Sequence, residues 1–194
     1  MNIEVFNTSA FAGSEGIQDC IISIRWRDFE EVTIQAVSRA NDGKAKQIAR
    51  ATGNATLPEV VDTCLELGRS LHSTQEPKFM VDVSGHGKYL QAALRKAGCE
   101  RFYAASRYVR NRSQVGEGEP CQSEVAVREL NGFLMNSWAK SIIMDMLAEK
   151  VKSGDIEGPD CLPINPETDI SEETLCLAMA CFGLFTAPFR RVIP

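Results

Sequence analysis

Apolar and polar positions follow a period of two along three early stretches, then shift to a helical period. "NIEVF" (2–6) is short and strand-like, "CIISIRW" (20–26) is a β-rich run, and "EVTIQAV" (31–37) alternates as a half-buried strand should. A polar, glycine-bearing turn, "AGSEGIQD" (12–19), lies between the first two. Three strands in succession with short connections predict an antiparallel meander. The stretch 42–55 is polar and aperiodic and reads as a connection. "LPEVVDTCLELGRSL" (57–71) has helical spacing, with Pro58 in its first turn. "KFMVDV" (78–83) is a short buried strand, and "KYLQAALRKAG" (88–98) is a helix that stops at Gly98. "RFYAA" (101–105) is another strand, and "SRYVRNRSQVGEGEPCQS" (106–123) is a loop or hairpin. A long helical pattern follows, broken near Gly132, then a loop rich in proline and aspartate up to Asp169. "SEETLCLAMACFGLF" (171–185) is a last helix with Ser171 as its N-cap, and residues 187–194 read as a tail. Strands first, then α-β-α-β, then helices: the pattern predicts one α/β domain spanning 1–194, a mixed sheet with helices on its faces.

Composition narrows the functions open to such a domain. With 194 residues, 44% hydrophobic, the chain can bury a substantial core. A net charge of −5 excludes a basic field over the whole surface, so nucleic acid would have to bind at a local patch or through metal ions. The seven cysteines are scattered and form no C-x-x-C pair, which argues against a metal finger or a disulfide framework and for reduced thiols. Cys176 and Cys181 fall in one apolar run and are expected in the core. No signal peptide and no membrane-spanning run is seen, and the reading is a soluble intracellular protein.

Candidate chemistry starts at Asp82, a carboxylate ending a buried strand just before the "SGHG" turn. Burying a carboxylate is costly unless something pairs with it. Ligands of α/β sheets gather at the carboxyl ends of strands, and Gly85 and Gly87 would let a ligand approach closely. The alternative is that Asp82 caps the next helix or hydrogen-bonds the turn. Glu172 and Glu173 begin the last helix, where acids also favour the macrodipole. As helix neighbours they point about 100° apart, so one can face the sheet while the other faces the rim. Asp19 precedes the second strand, and Glu4, Asn7 and Glu15 lie near the first. Acids converging from distant segments would hold magnesium or manganese. Two such ions about 4 Å apart can activate water for phosphodiester cleavage. Arg107, Arg110 and Arg112, with Lys88, Arg95 and Lys96, can neutralise phosphates or simply form a solvated surface. His86 either touches a phosphate or is an ordinary turn residue.

The order of these motifs resembles a known family. "VDVSGHGKYLQAALRKAG" is similar to the second acidic motif of the nuclease domain of large terminase subunits, the DNA-packaging motors of tailed bacteriophages. "GFLMNSWAKSIIMDMLAEKVKSGDI" resembles the family's asparagine-containing helix, "SEETLCLAMACFG" its paired-acid helix, and "NTSAFAGSEGIQDCIISI" its first motif. The resemblance implies an RNase H-like fold and a two-metal endonuclease, using Mg2+ or Mn2+, that cuts concatemeric double-stranded DNA. It implies Asp82 as the central metal ligand, Glu172 and Glu173 as the paired acids, and Asp19 as the second acid of the first motif. It further implies an ATPase domain, a small terminase subunit and a portal as partners, in the host cytoplasm. Three departures stand out. Asn7 occupies the position of the first metal-binding aspartate and offers only a neutral carbonyl oxygen. Glutamates replace aspartates in the third motif, and no ATPase phosphate-loop motif is present, so the chain would be an isolated nuclease domain. The rival readings are an RNase H-like nuclease of the junction-resolvase type and a catalytically silent DNA- or protein-docking domain of the same fold.

Overall fold

The computed structural model describes residues 1–5, 19–27, 31–39, 43–70, 76–103, 132–161, 163–168, 170–186 and 189–191. These form a mixed α/β fold, an open sheet with helices on both faces. The strands are β1 (Asn2–Val5), β2 (Asp19–Arg27), β3 (Glu31–Arg39), β4 (Ala45–Asn54), β5 (Lys78–Val81), β6 (Arg101–Tyr103), β7 (Ile156–Glu157) and β8 (Phe189–Arg191). The helices are α1 (Leu57–Ser70), α2 (Gly87–Lys96), α3 (Ser137–Ser153) and α4 (Glu172–Thr186). Across the sheet the order is β1-β4-β3-β2-β5-β6-β8. β2, β3 and β4 are antiparallel, whereas β5 runs parallel to β2 and β6 parallel to β5.

The antiparallel meander exists, but one strand later in the chain than the hydrophobic pattern predicts. β1 lies at the far edge, antiparallel to β4, and does not join β2. β4 itself occupies the stretch read as a connection. Its aperiodic pattern has a physical cause: the β-bulge opposite Ala36 and Val37 leaves Ile48 and Ala49 both in one core cluster, and the opposite face carries the buried polar Gln47. β3 is buried from Val32 to Ser38 on both faces rather than half-buried. A strand covered by helices on each side has no solvent face, so its polar residues, Thr33, Gln35 and Ser38, are interior. Residues 189–191, read as tail, add β8 antiparallel to β6.

Two cores follow from this layering. Ile22, Ile24, Val32, Ile34, Phe79 and Val81 pack with Val60, Cys64 and Leu67 of α1 and Leu90 and Leu94 of α2. On the other face Ile21, Val37 and Met80 meet Ile143, Met144 and Leu147 of α3 and the apolar α4, buried from Leu175 to Leu184. Cys176 and Cys181 are both fully buried there, as their apolar run predicts. α3 starts after the break near Gly132, capped by Asn136, whose Oδ1 accepts from the Ala139 N–H at 2.8 Å, and ends in the left-handed Gly154. No helix among the described residues is long and apolar enough to cross a membrane.

Candidate functional site

Strand parity decides which side chains meet beyond the end of β5. Along β2, Ile22, Ile24 and Trp26 point into the α1–α2 core, so Ser23 and Arg25 point toward α4. The Asp82 N–H bonds the Ile24 carbonyl at 2.9 Å, which carries the parallel pairing of β2 and β5 one residue further and sets Asp82 beside Arg25 on the α4 face. Arg25 Nε donates to Asp82 Oδ2 over 3.1 Å. From the first turn of α4, Glu172 Oε2 reaches to 2.6 Å from Arg25 Nη1, an ionic contact without hydrogen-bond alignment. The other Asp82 oxygen accepts from Ser84, the N–H at 3.0 Å and the hydroxyl at 2.6 Å. The buried carboxylate therefore has an arginine partner, and it also holds the turn that follows, the alternative weighed above.

The glycines of "SGHG" serve this turn. Gly85 has φ +64°, in the region that side chains disfavour. A Cβ on Gly87 would lie 1.7 Å from the Asp82 carbonyl oxygen, so only glycine lets α2 start there. The close approach is to the chain's own backbone.

Arg25, Asp82 and Glu172 line an open cleft of about 570 Å3, together with Ser84, His86, Asn136 and Lys140. The charged side chains are half-buried or buried, with exposures of 13% for Arg25, 5% for Asp82 and 23% for Glu172. His86 precedes α2 and its ring stacks against that of Tyr89 at 6.4 Å. Lys88 is exposed in the first turn of the same helix.

The remaining acids do not converge here. Asp19 opens β2 and pairs with Lys78 at 2.5 Å, at the opposite end of the sheet from Asp82. From Asp19 to Arg25 along an extended strand is about 20 Å, so the expected joining of Asp19 and Asp82 in one cluster does not occur. Glu172 and Glu173 part as their helical spacing requires. The Glu173 carbonyl lies 3.5 Å from Gln35 Nε2, and its charge acts on Arg50. Arg50 belongs to a second polar cluster, two strands away. It pairs with Glu4 and, at 2.6 Å, with Asp160, while Asp160 also accepts from Gln35 at 3.2 Å and Gln47 at 2.6 Å. The Arg50 guanidinium is held above its ordinary pKa first by the hydrogen bond to Glu4, then by the charges of Asp160, Glu4 and Glu173. Asn7, Arg107, Arg110 and Arg112 lie outside the described residues.

A divalent ion at Asp82 and Glu172 is a poor fit to these positions. Magnesium or manganese needs carboxylate oxygens at about 2.1 Å. The Asp82 oxygens are engaged by Ser84 and Arg25, and the guanidinium already bridges to Glu172. Among the described residues no three acidic, histidine or cysteine side chains form a group that could hold a metal. Arg25 is the residue that sequence reasoning missed. Its signal was present: in "CIISIRW" it shares parity with Ile21 and Ser23, and a charge at an inward position of a buried strand requires a counter-charge.

No model of a known protein family matches the chain, and no curated protein matches it.

Proposed function

We propose that this chain is an RNase H-like domain of the terminase nuclease kind that docks on double-stranded DNA and leaves the phosphodiester bond intact. An antiparallel meander followed by two parallel, helix-connected strands, with helices on both faces, is the arrangement that an RNase H-like sheet requires. The meeting of Asp82 and Glu172 through Arg25, beyond the carboxyl end of β5, supports the reading. The observation that carries the reading is Arg25, whose guanidinium occupies the space between them.

The charge balance favours docking. Two bare carboxylates would repel a phosphate backbone. Arg25 offsets one of them, and Lys140 adds a further positive charge to the same cleft. Lys88 and the adjoining His86–Tyr89 pair extend the surface along α2. Arg107, Arg110 and Arg112 are proposed as further phosphate contacts on the strength of the sequence. In a packaging motor the ATPase domain, small subunit and portal would be the partners.

Fluorescence anisotropy with a labelled duplex tests the proposal. Binding is expected in the presence of chelator and should weaken as salt rises. Lys88→Ala and Lys140→Ala should each lower the salt slope by roughly one. Duplex binding that appears only with added magnesium would contradict it, and a strong preference for a four-way junction would favour the resolvase-type rival.

A metal-dependent endonuclease is the second reading, favoured by the meeting of Asp82 and Glu172 at this edge. It requires Arg25 to leave both carboxylates.

A further inference from the structure

Arg25 has a set of properties that a surface ion pair lacks. It lies on the central strand β2, between β3 and β5, with its side chain 13% exposed. It contacts carboxylates from two elements far apart in sequence, one directly after β5 and one on α4. Without a cation between them, Asp82 and Glu172 would both leave negative charge on one wall of the cleft, the Asp82 side chain only 5% exposed, and like charges so placed oppose folding.

We infer that Arg25 is a resident cation in the place a divalent ion would take here: it bridges Asp82 and Glu172, offsets one of their two charges, and ties α4 to the end of β5. The inference rests on the RNase H-like reading for the identity of the ion replaced, and on the geometry alone for the role of Arg25. A guanidinium remains charged at every pH at which a protein folds, and no chelator removes it. The pair of acids therefore keeps its bridging cation in every buffer, and magnesium or manganese would have to displace it. The same geometry identifies the change that opens it. Arg25→Asp places a third carboxylate beside Asp82 and Glu172 and removes the competing charge, which produces a site for a hard divalent cation.

The test is manganese binding, followed by the electron paramagnetic resonance of free Mn2+, together with thermal unfolding in chelator and in Mn2+. The native chain is expected to bind no Mn2+ at submillimolar concentration and to melt at the same temperature in both buffers. Arg25→Asp is expected to bind Mn2+ and to melt several degrees higher with the ion than without, as linkage requires. That gain should vanish in the Arg25→Asp, Asp82→Asn double variant. Native-chain binding of Mn2+ that is lost in Asp82→Asn would overturn the inference, as would an Arg25→Asp variant that folds and ignores the ion. If Arg25→Asp does not fold, the native chain and Arg25→Met, which keeps an unbranched apolar stem without the charge, decide. Arg25→Met should gain a stabilisation by Mn2+ that the native chain lacks, and equal responses would overturn the inference. Loss of duplex binding in chelator would sink the docking proposal and leave these ion measurements standing.

Discussion

Arg25 Nε donates to Asp82 Oδ2 over 3.1 Å, across the end of two neighbouring parallel strands, with both side chains largely withdrawn from water. Removing one member of such a pair leaves a desolvated charge behind. Asp82→Ala also strips Ser84 of its acceptor. The variant should lose about 3–5 kcal/mol of stability, read from urea unfolding. Glu172→Gln, at a more exposed position, should cost about 1 kcal/mol.

The turn after Asp82 makes a prediction that separates two glycines. At Gly87 an added methyl collides with the Asp82 carbonyl oxygen, which is backbone and cannot swing aside. Gly87→Ala should therefore cost roughly 3 kcal/mol or more. Gly85 has open space around its Cβ position and only an unfavourable φ of +64°. Gly85→Ala should cost about 1–2 kcal/mol. Thermal melts of the two variants should differ in that order.

Asp160 draws Gln35, Gln47 and Arg50 together, and its own N–H bonds Gln47 Oε1 at 3.0 Å. Gln35 and Gln47 are buried and depend on that carboxylate for part of their hydrogen bonding. Asp160→Ala should lower stability by about 2–3 kcal/mol, with duplex binding preserved in the fraction that remains folded. Equal loss of binding by the folded fraction would tie this cluster to DNA.

The thiols supply a pH dependence. Burial pushes Cys20 from 9.0 up to about 12, aided by the Asp19 charge, and burial likewise pushes Cys176 and Cys181 up to about 12. Their folded-state values exceed the unfolded ones, so the unfolded chain sheds these protons first as pH rises. Stability from these groups is complete below pH 9 and is lost between about 9 and 12, at up to about 1.4 kcal/mol per thiol per pH unit. Urea midpoints measured across that range should fall steadily. In the native chain at pH 8 these three cysteines should resist a thiol reagent until unfolding.

How far the sequence discloses this molecule depends on how evenly each element repeats. α1, α2, α4, β2 and β5 are legible because their apolar residues keep a helical or strand period and their ends carry recognisable stops, such as Ser171, whose hydroxyl accepts from the Thr174 N–H at 3.1 Å. β4 is illegible because a bulge shifts its period and because its polar residues are engaged, Gln47 buried and Arg50 paired with Asp160. The place of β1 at the far edge depends on pairing with residues some 50 positions away, which local patterning does not encode. Asp82 could be singled out from the sequence, since a carboxylate ending an apolar strand requires a partner. The parity of Arg25 marks it as an inward charge that needs a counter-charge, but that this counter-charge is Asp82 depends on strand register. The divergence of Glu172 and Glu173 follows from helix geometry, while the isolation of Asp19 follows only from the parallel direction of β2 and β5.

The most direct test of the account is incubation of the native chain with supercoiled plasmid in manganese, in magnesium and in chelator, with Asp82→Ala alongside. The account predicts that the plasmid stays supercoiled in all three buffers while duplex binding persists in chelator. Nicking or linearisation that requires the metal and disappears in Asp82→Ala would contradict it, and would show that Arg25 yields the carboxylates to a divalent ion.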